Sequence, residues 1–236
     1  MKLLALDAAS DCCSVALWND GAVIAREARA ERGHGDQLLA MIDALLGQAQ
    51  IELQALDAIA FGRGPGAFTG VRLAASLTQG LAYSSGLPVI PVSDLRALAE
   101  RVLQGTPPGS RAIACHDARM GEVYWAAFHS VDGHAAAATG EAVDKPDAML
   151  AAAQEWLRAS DGPAAAGVGT GFAVYPQLAT LAAQLAPVLP EARPRAAEIA
   201  ALAAHDGLGA AVAPERAQPV YVRNDVAVPS AAVQGA

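Results

Sequence analysis

Lysine is nearly absent from this 236-residue chain, which has only Lys2 and Lys145 beside 14 arginines. The two lysines are followed by Leu3 and Pro146, so the Gly-Lys-Ser/Thr of a phosphate loop is missing and P-loop NTPase chemistry is excluded. A basic stripe is also missing, and the net charge is -8. Because a protein that binds nucleic acid by itself normally shows such a stripe, the composition disfavours direct, tight binding of tRNA or DNA.

Cysteine and long apolar runs are also scarce. The three cysteines are Cys12, Cys13 and Cys115, and an odd count with an adjacent pair is a poor disulfide framework, typical of a reducing compartment. Only four apolar residues lie between Lys2 and Asp7, too few for the core of a signal peptide. No run reaches the ~18 apolar residues of a membrane-spanning helix. We therefore expect a cytoplasmic protein without a membrane segment.

Motifs of metal and hydrolase chemistry are missing as well. None of the five histidines is spaced i, i+4 from another, and the cysteines form no C-x-x-C pair, so the spacing disfavours a metal site. A G-x-S-x-G nucleophile elbow is absent. From these absences we expect no metal, no cofactor and no catalytic residue.

The chain contains two similar segments, Leu3–Gly21 and Ala112–Gly133. Each has an apolar strand that ends in aspartate, a short polar turn, a second apolar strand and a closing Asp-Gly. They indicate either an internal duplication or two ordinary hairpins that are alike by coincidence. The Pro/Gly-rich stretch 104–111 predicts a linker, and alternating strands and helices predict mixed sheets covered by helices.

Periodicity and capping signals predict six helices and a turn. The helices are expected at Asp36–Gln50, Thr69–Ser85, Ser93–Val102, Pro146–Arg158, Tyr175–Leu185 and Ala196–Asp206, and the turn at His116–Gly121.

The most specific local pattern is the loop Arg63–Gly70, which follows the predicted strand Ala58–Phe61 and opens a helix. Glycines permit a close approach of backbones, and the N-terminus of a helix attracts anions. The loop is therefore either a cradle for a phosphate or carboxylate, or a tight strand-to-helix turn capped by Thr69. Asp7, at a strand end, could hold Mg²⁺ or orient a water, although capping of its own turn is favoured.

Two predicted helices, Asp36–Gln50 and Thr69–Ser85, are apolar around most of their circumference. Such helices are buried on most sides. They form either a well-buried pair within the chain or a subunit interface.

Four stretches carry a resemblance to a known family: Leu6–Leu17, Gly64–Arg72, Asp117–Tyr124 and Pro219–Arg223. In this order and at these separations the chain resembles the TsaB (YeaZ) family along nearly its whole length. The resemblance implies an α/β chain with the actin-like/Hsp70-like ATPase (ASKHA) fold, built of two duplicated α/β halves with mixed sheets. We expect the N-terminal half, with the partner-binding helices, at 1–106 and the C-terminal half, with an extended tail, at 107–236.

The resemblance also implies a function, as a non-catalytic subunit in the synthesis of N6-threonylcarbamoyladenosine (t6A) in tRNA. Such a subunit binds and activates the catalytic paralogue TsaD, is joined by the ATPase TsaE, meets tRNA only through the complex, and forms a homodimer when alone. TsaD is expected to carry His-x-x-x-His after the strand that corresponds to Pro88–Val92. Here these positions are Asp94 and Leu98, so we expect the metal centre to be lost.

The resemblance places the partner contacts on the N-terminal helices, and we expect the interface at Leu38, Ile42, Leu45, Leu77 and Leu81. The motif loop, with Arg63, Gly64, Pro65, Gly66 and Thr69, would set the entry angle of the second helix. Three alternatives stay open: a weak ATPase that uses Asp7 and the loop 64–66, a peptidase, and a homodimer without a paralogous partner.

Overall fold

The framework of the structure, a computed structural model that describes residues 1–29, 34–160 and 162–222, is a pair of mixed sheets. The first sheet consists of β1 (Lys2–Asp7), β2 (Cys12–Asn19), β3 (Ala22–Arg29), β4 (Ala58–Gly62) and β5 (Val89–Val92). Its strand order is β3-β2-β1-β4-β5. Strands β1 to β3 are antiparallel neighbours, whereas β1, β4 and β5 run parallel.

The second sheet repeats this plan. It consists of β6 (Arg111–Arg119), β7 (Glu122–Val131), β8 (His134–Ala137), β9 (Ala142–Asp144), β10 (Ala166–Val168) and β11 (Val188–Leu189). From its antiparallel edge the order is β8-β7-β6-β10-β11, and β9 pairs with β7 in addition. The repeated strand order confirms the predicted duplication, and the two mixed sheets have the actin-like/Hsp70-like arrangement that the resemblance implies.

Seven helices of the described chain cover the sheets: α1 (His34–Ala49), α2 (Phe68–Ser85), α3 (Asp94–Leu103), α4 (Pro146–Ala159), α5 (Gly171–Val174), α6 (Ala179–Ala182) and α7 (Ala196–Asp206). Helices α1 and α2 pack on one face of the first sheet, and α7 packs on the other. Helix α3 instead packs on the second sheet. Within the described residues, no helix combines the length and the apolar character needed to cross a membrane.

Helices α3 and α7 thus join the two halves, because each packs on the sheet formed by the other half of the chain, and the two also contact each other. In α7, Ala196, Ala200 and Ala203 are fully buried. They face strand alanines such as Ala5 and Ala60, so small side chains on both surfaces let the helix lie close to the sheet. The division of the chain at residues 106 and 107 stays a prediction.

The two Asp-Gly pairs form the tight turns that the sequence predicts. Asp20 and Gly21 have φ of 49° and 98°, and Asp132 and Gly133 have 52° and 79°. Tight hairpin turns require such left-handed conformations, which explains the Asp-Gly pairs.

Two predicted elements are wrong. The turn expected at His116–Gly121 is mostly strand, because β6 continues to Arg119 through pairing with β7 and a register shift after Asp117. The helix expected at Tyr175–Leu185 is broken into a 3₁₀ turn, Pro176–Leu178, and the short α6. Proline lacks an N–H donor and disfavours helical conformation in the residue before it, and Tyr175 is accordingly extended.

Candidate functional site

The motif loop connects β4 to α2 and lies against the turn that follows β1. The N–H of Gly64 donates to an Asp94 carboxylate oxygen, and the N–H of Ala67 donates to the carbonyl of Ala9 at 2.7 Å. A Cβ atom on Gly70 would lie 1.8 Å from the carbonyl oxygen of Ala8. The glycine therefore lets α2 begin directly on that turn, and these loop amides are already used within the chain.

The predicted cap of this helix is wrong. Helix α2 begins at Phe68, its N-cap residue is Ala67, and no side chain accepts a capping hydrogen bond. Thr69 lies within the first turn and is exposed. The loop is a tight strand-to-helix turn, held by backbone contacts in place of a threonine cap.

Arg63, the first residue of the loop, connects the two halves of the chain. Its guanidinium donates to both carboxylate oxygens of Glu141, at 3.0 and 3.1 Å. Its carbonyl accepts a hydrogen bond from the N–H of Val220 at 2.7 Å, so the C-terminal segment crosses the loop. Two bonds from one planar guanidinium also fix its orientation.

A buried carboxyl pair, Asp7 and Asp94, lies beneath the loop. Both side chains are 0% exposed. A Cβ on Gly62 would lie 2.6 Å from Asp7 Oδ1 and 2.4 Å from Asp94 Oδ1, so the two carboxyls converge over this glycine. Burial, followed by the neighbouring charge of Asp7, raises the pKa of Asp94 well above its usual range. Two carboxyls this close cannot both be charged at low cost, so the protonated form of Asp94 is favoured.

The position of Asp7 bears on its predicted roles. Its Oδ1 accepts a hydrogen bond from the N–H of Ala9 at 3.0 Å, which is the turn-capping role. The Asp7 side chain is 0% exposed. In the described part of the chain, no three His, Cys, Asp or Glu side chains are grouped as a metal site would require.

Above the loop, a cleft of about 780 Å³ lies between the two halves. Its first wall comes from Ser10, Asp11 and the motif loop, and its second wall from the end of β6 and the loop after β10. The Asp11 carboxylate accepts two hydrogen bonds from the Arg193 guanidinium, one from Nε and one from an Nη. This bond lowers the pKa of Asp11 and raises that of Arg193. The charged groups of this wall are therefore already paired with each other.

The second wall contains a pair that the sequence analysis missed, His116 and Thr170. The threonine hydroxyl lies 3.0 Å from His116 Nδ1 and also accepts the N–H of Asp117 at 3.2 Å. Burial lowers the pKa of His116 to about 4, so the imidazole is neutral at pH 7 and is a weak base. The geometry resembles a nucleophile with its base, and the lowered pKa makes this imidazole a poorer base than an ordinary histidine.

One signal could have found Thr170. It lies in a Gly-rich stretch after β10, and β10 occupies in the second sheet the place that β4 occupies in the first. The duplication therefore makes Gly169–Gly171 the counterpart of the motif loop. Gly169 has φ of 114°, and a Cβ on Gly171 would lie 2.3 Å from Cys115 Sγ.

The helical face predicted as the interface lies on the outer side of the first sheet, and three of its residues need correction. Leu38, Ile42 and Leu45 are 0–2% exposed and pack in the core between α1 and the sheet. Their spacing of four and three residues is that of a helix stripe facing a core. In the single chain these side chains are not available to a partner.

Helix α2 presents its leucines differently. Its buried positions are occupied by small side chains, including Ala74, Ala75 and Ala82. Leu73, Leu77 and Leu81, spaced four residues apart, are only partly buried. We call these three residues the α2 stripe. The interface prediction for Leu77 and Leu81 thus stays a prediction, on a surface that the structure leaves accessible.

Comparison with known proteins gives a consistent family. The family model described as TsaD, tRNA N6-adenosine threonylcarbamoyltransferase, matches residues 25–229. The tRNA threonylcarbamoyladenosine biosynthesis protein TsaB of Escherichia coli is 37% identical over 241 residues, which is 96% of either chain. The TsaB of Haemophilus influenzae is 45% identical over 125 residues, covering 53% of this chain and 52% of that one.

Two solved structures from Pseudomonas aeruginosa are similar over almost the whole chain. One, described as an uncharacterized protein with similarity to peptidase YEAZ, has a TM-score of 0.78 at 37% identity, covering 94% of this chain and 99% of that one. The other, described as YeaZ, has a TM-score of 0.75 at 38% identity, with coverage of 93% and 99%.

Proposed function

This chain belongs to the TsaB (YeaZ) family, and from that premise we propose that it serves the synthesis of threonylcarbamoyladenosine in tRNA as a non-catalytic subunit. It binds the TsaD-type paralogue and stabilises that partner's active arrangement. The TsaE-type ATPase and tRNA meet it only within the complex. One observation carries the proposal: the leucines of the α2 stripe pack against the core of the first sheet on one side and remain partly exposed on the other.

The non-catalytic role is supported by the residues Asp94 and Leu98, which occupy the two positions where the paralogue is expected to have its metal-binding histidines. Asp94 is fully buried, and burial together with the charge of Asp7 raises its pKa. Leu98 is also 0% exposed and packs in the core of the second sheet. A hydrocarbon side chain cannot ligate a metal, so one of the two expected ligand positions holds no ligand.

The partner surface is supported by the composition of α2. Arg72 is its only charged residue. The α2 stripe is partly exposed, Leu39 on α1 is 44% exposed and Tyr83 is 73% exposed. Partly exposed apolar and aromatic side chains without neighbouring charge are typical of the centre of a protein interface. The same stripe would hold a second copy of the chain when the paralogue is missing, so homodimer and heterodimer would compete.

The two enzymatic alternatives have less support. The cleft is large enough for a small ligand, but an ATPase that uses Asp7 and the loop 64–66 would need a buried carboxylate and an N–H that already binds Asp94. A peptidase that used Thr170 and His116 would rely on an imidazole whose pKa burial lowers to about 4. Turnover of ATP by the isolated chain would support the ATPase alternative, and cleavage of casein would support the peptidase alternative.

The partner role can be tested by calorimetry between this chain and a TsaD-type paralogue. Leu77→Glu places a charge in the α2 stripe, and we expect about tenfold weaker binding or more, because a buried unpaired charge is costly. Tyr83→Ala serves as a second variant, since an exposed side chain contributes little to folding. Ala151→Glu, on the exposed side of α4, is the matched control and should bind like the wild type.

Wild-type affinity for both Leu77→Glu and Tyr83→Ala would remove the α2 stripe from the interface. Thermal unfolding of each variant separates a lost contact from a lost fold.

A further inference from the structure

The cleft between the two halves has in its wall a polar atom that the described protein does not bond. His116, near the end of β6, lines the cleft and is only 8% exposed. Its Nδ1 lies 3.0 Å from the hydroxyl of Thr170, whereas its Nε2 has no hydrogen-bond partner among the residues that the structure describes. A ring nitrogen held this far from solvent costs free energy unless water or a ligand bonds it. Nε2 is therefore the atom at which a bound molecule would gain a hydrogen bond.

The surroundings of His116 determine which ring nitrogen carries its proton. Burial lowers the pKa of His116 to about 4, so the imidazole is neutral at pH 7 and has one donor nitrogen and one acceptor nitrogen. The Thr170 hydroxyl accepts the N–H of Asp117 at 3.2 Å, which leaves its own O–H to donate to Nδ1. This network of hydrogen bonds assigns the ring proton to Nε2. A ligand must therefore offer an acceptor, such as a carbonyl oxygen, to this nitrogen.

The charged residues of the cleft are matched with one another. Among the described lining residues they are Asp11, Asp117, Arg119, Glu191 and Arg193. Arg193 pairs with Asp11, and an Arg119 nitrogen lies 3.4 Å from an Asp117 carboxylate oxygen. Both lining arginines thus have carboxylate partners, and three carboxylates beside two guanidinium groups disfavour a further negative charge. The cleft is therefore suited to an uncharged molecule.

Apolar side chains form another part of the cleft surface. Phe68, Val174 and Tyr221 line the cleft and are 52%, 50% and 46% exposed. They come from the start of α2, the end of α5 and the C-terminal segment. The Arg72 guanidinium carbon lies 3.4 Å from the centre of the Phe68 ring, and its Nε donates to the Tyr221 hydroxyl at 2.7 Å, so both aromatic rings are held in place. A ring compound that covered these side chains would remove apolar surface from water.

We propose that the cleft binds an uncharged ring compound that carries a carboxamide or a similar carbonyl group. The carbonyl oxygen accepts the Nε2–H of His116, and the ring packs against the apolar side chains that include Phe68 and Tyr221. The volume of about 780 Å³ is within the range of small-molecule sites. Thr170 is a positioning residue, because its hydroxyl fixes the tautomer of His116. The inference is independent of the partner-subunit function, because the residues of the α2 stripe are not among those that line the cleft.

The test uses three compounds that share one ring and differ in charge: benzamide, benzoate and benzamidine. Each is titrated into the full chain at neutral pH and followed by calorimetry. We expect saturable binding of benzamide, with benzoate and benzamidine weaker by about tenfold or more, because each brings a charge that must lose its water without a free partner in the cleft. In NMR spectra of the histidine side chains, benzamide should shift the Nε2 signal of His116 and leave the proton on Nε2.

Variants of the two polar residues test their roles. His116→Leu removes the donor, and Thr170→Val removes the hydroxyl that orients it, so both should weaken benzamide binding by about tenfold. Thr170→Ser keeps the hydroxyl and should bind like the wild type. A purely steric role of Thr170 would predict the reverse, because valine has the shape of threonine and serine lacks its methyl group. Tyr83→Ala, which removes an exposed aromatic ring of α2 outside the cleft, is the matched control and should have no effect.

Three results would overturn the proposal. One is the absence of saturable benzamide binding up to roughly 10 mM, where even a weak site would fill. Another is binding of either charged compound as tightly as benzamide, which would show that the cleft has an unmatched charge. The third is benzamide binding that persists unchanged in both His116→Leu and Thr170→Val, with thermal unfolding to check that both variants fold.

Discussion

Replacing Asp94 by asparagine should remove a pH-dependent cost from the folded chain. Asp94 and Asp7 are both 0% exposed, and burial with the neighbouring carboxyl raises the pKa of Asp94 well above its ordinary 3.8. An asparagine keeps an oxygen that can accept the N–H of Gly64, and its amide can donate to Asp7. The variant therefore preserves the shape of the pair while removing the carboxyl whose pKa is raised.

The sign of the effect follows from proton binding. Above pH 3.8 the unfolded chain has released the Asp94 proton while the folded chain still holds it. Stability of the wild type therefore falls as the pH rises through this window, by up to about 1.4 kcal/mol per pH unit for one full proton. The decline ends where the pH reaches the raised pKa of the folded state. Asp94→Asn has no such proton to lose.

The assay is urea unfolding of the wild type and Asp94→Asn between about pH 5 and pH 8. We expect the variant to gain stability relative to the wild type as the pH rises. Because Asp11 has a lowered pKa and contributes with the opposite sign, the difference between the two proteins is the quantity to follow. Asp147→Asn is the control, since Asp147 also lies in the first turn of a helix but is exposed. A difference between wild type and Asp94→Asn that is the same at every pH would refute the raised pKa of Asp94.

Three further predictions follow from single contacts. In urea unfolding, Gly70→Ala should destabilise the protein by about 2 kcal/mol or more, because its Cβ would meet a carbonyl oxygen at 1.8 Å. The control Gly80→Ala, whose Cβ would have nothing within 4 Å, should stabilise by about 0.5–1 kcal/mol. Equal effects of the two variants would contradict the close approach at Gly70. Arg63→Gln should cost about 1 kcal/mol through its Glu141 partner, and a double-mutant cycle with Glu141→Gln that shows no coupling would contradict this link between halves. In an NMR titration, the His116 imidazole should stay neutral until the pH falls to about 4. Its contribution to stability is therefore present above the pKa of the unfolded state and is lost as the pH falls toward 4. A titration midpoint near the ordinary 6.5 would show that His116 is not buried as described.

The parts of the fold that sequence could predict are those with local causes. The Asp-Gly turns require left-handed backbone, and both close the hairpins where expected. Helix α7 has the bounds that its alanine-rich periodicity predicts, Ala196–Asp206. The duplication could also be anticipated, since the strand-turn-strand pattern occurs twice.

What failed depends on contacts distant in sequence. His116 and Asp117 carry turn-like polarity, yet pairing with β7 keeps them in a strand. The periodicity of α1 shows that Leu38 and Leu45 face something apolar, but it cannot tell a sheet of the same chain from a partner. In α2 a composition signal was available: the alanines face the sheet, which leaves the leucines outside.

The candidate site likewise contains some residues that the sequence could identify and others that it could not. The motif loop and Asp7 were identified from their positions after strands, because strand ends meet at one edge of a sheet. Their partner Asp94 could not be assigned from sequence, since only the pairing of β4 and β5 brings the start of α3 beneath the loop.

The central claim is that this chain is required for tRNA modification without performing chemistry itself. The most direct measurement is reconstitution of threonylcarbamoyladenosine formation from a TsaD-type paralogue, a TsaE-type ATPase and the enzyme that supplies the threonylcarbamoyl group, with and without this protein. The account predicts that modification depends on the chain, that Leu77→Glu reduces it, and that the isolated chain turns over neither ATP nor peptide. Equal modification in its absence would contradict the claim.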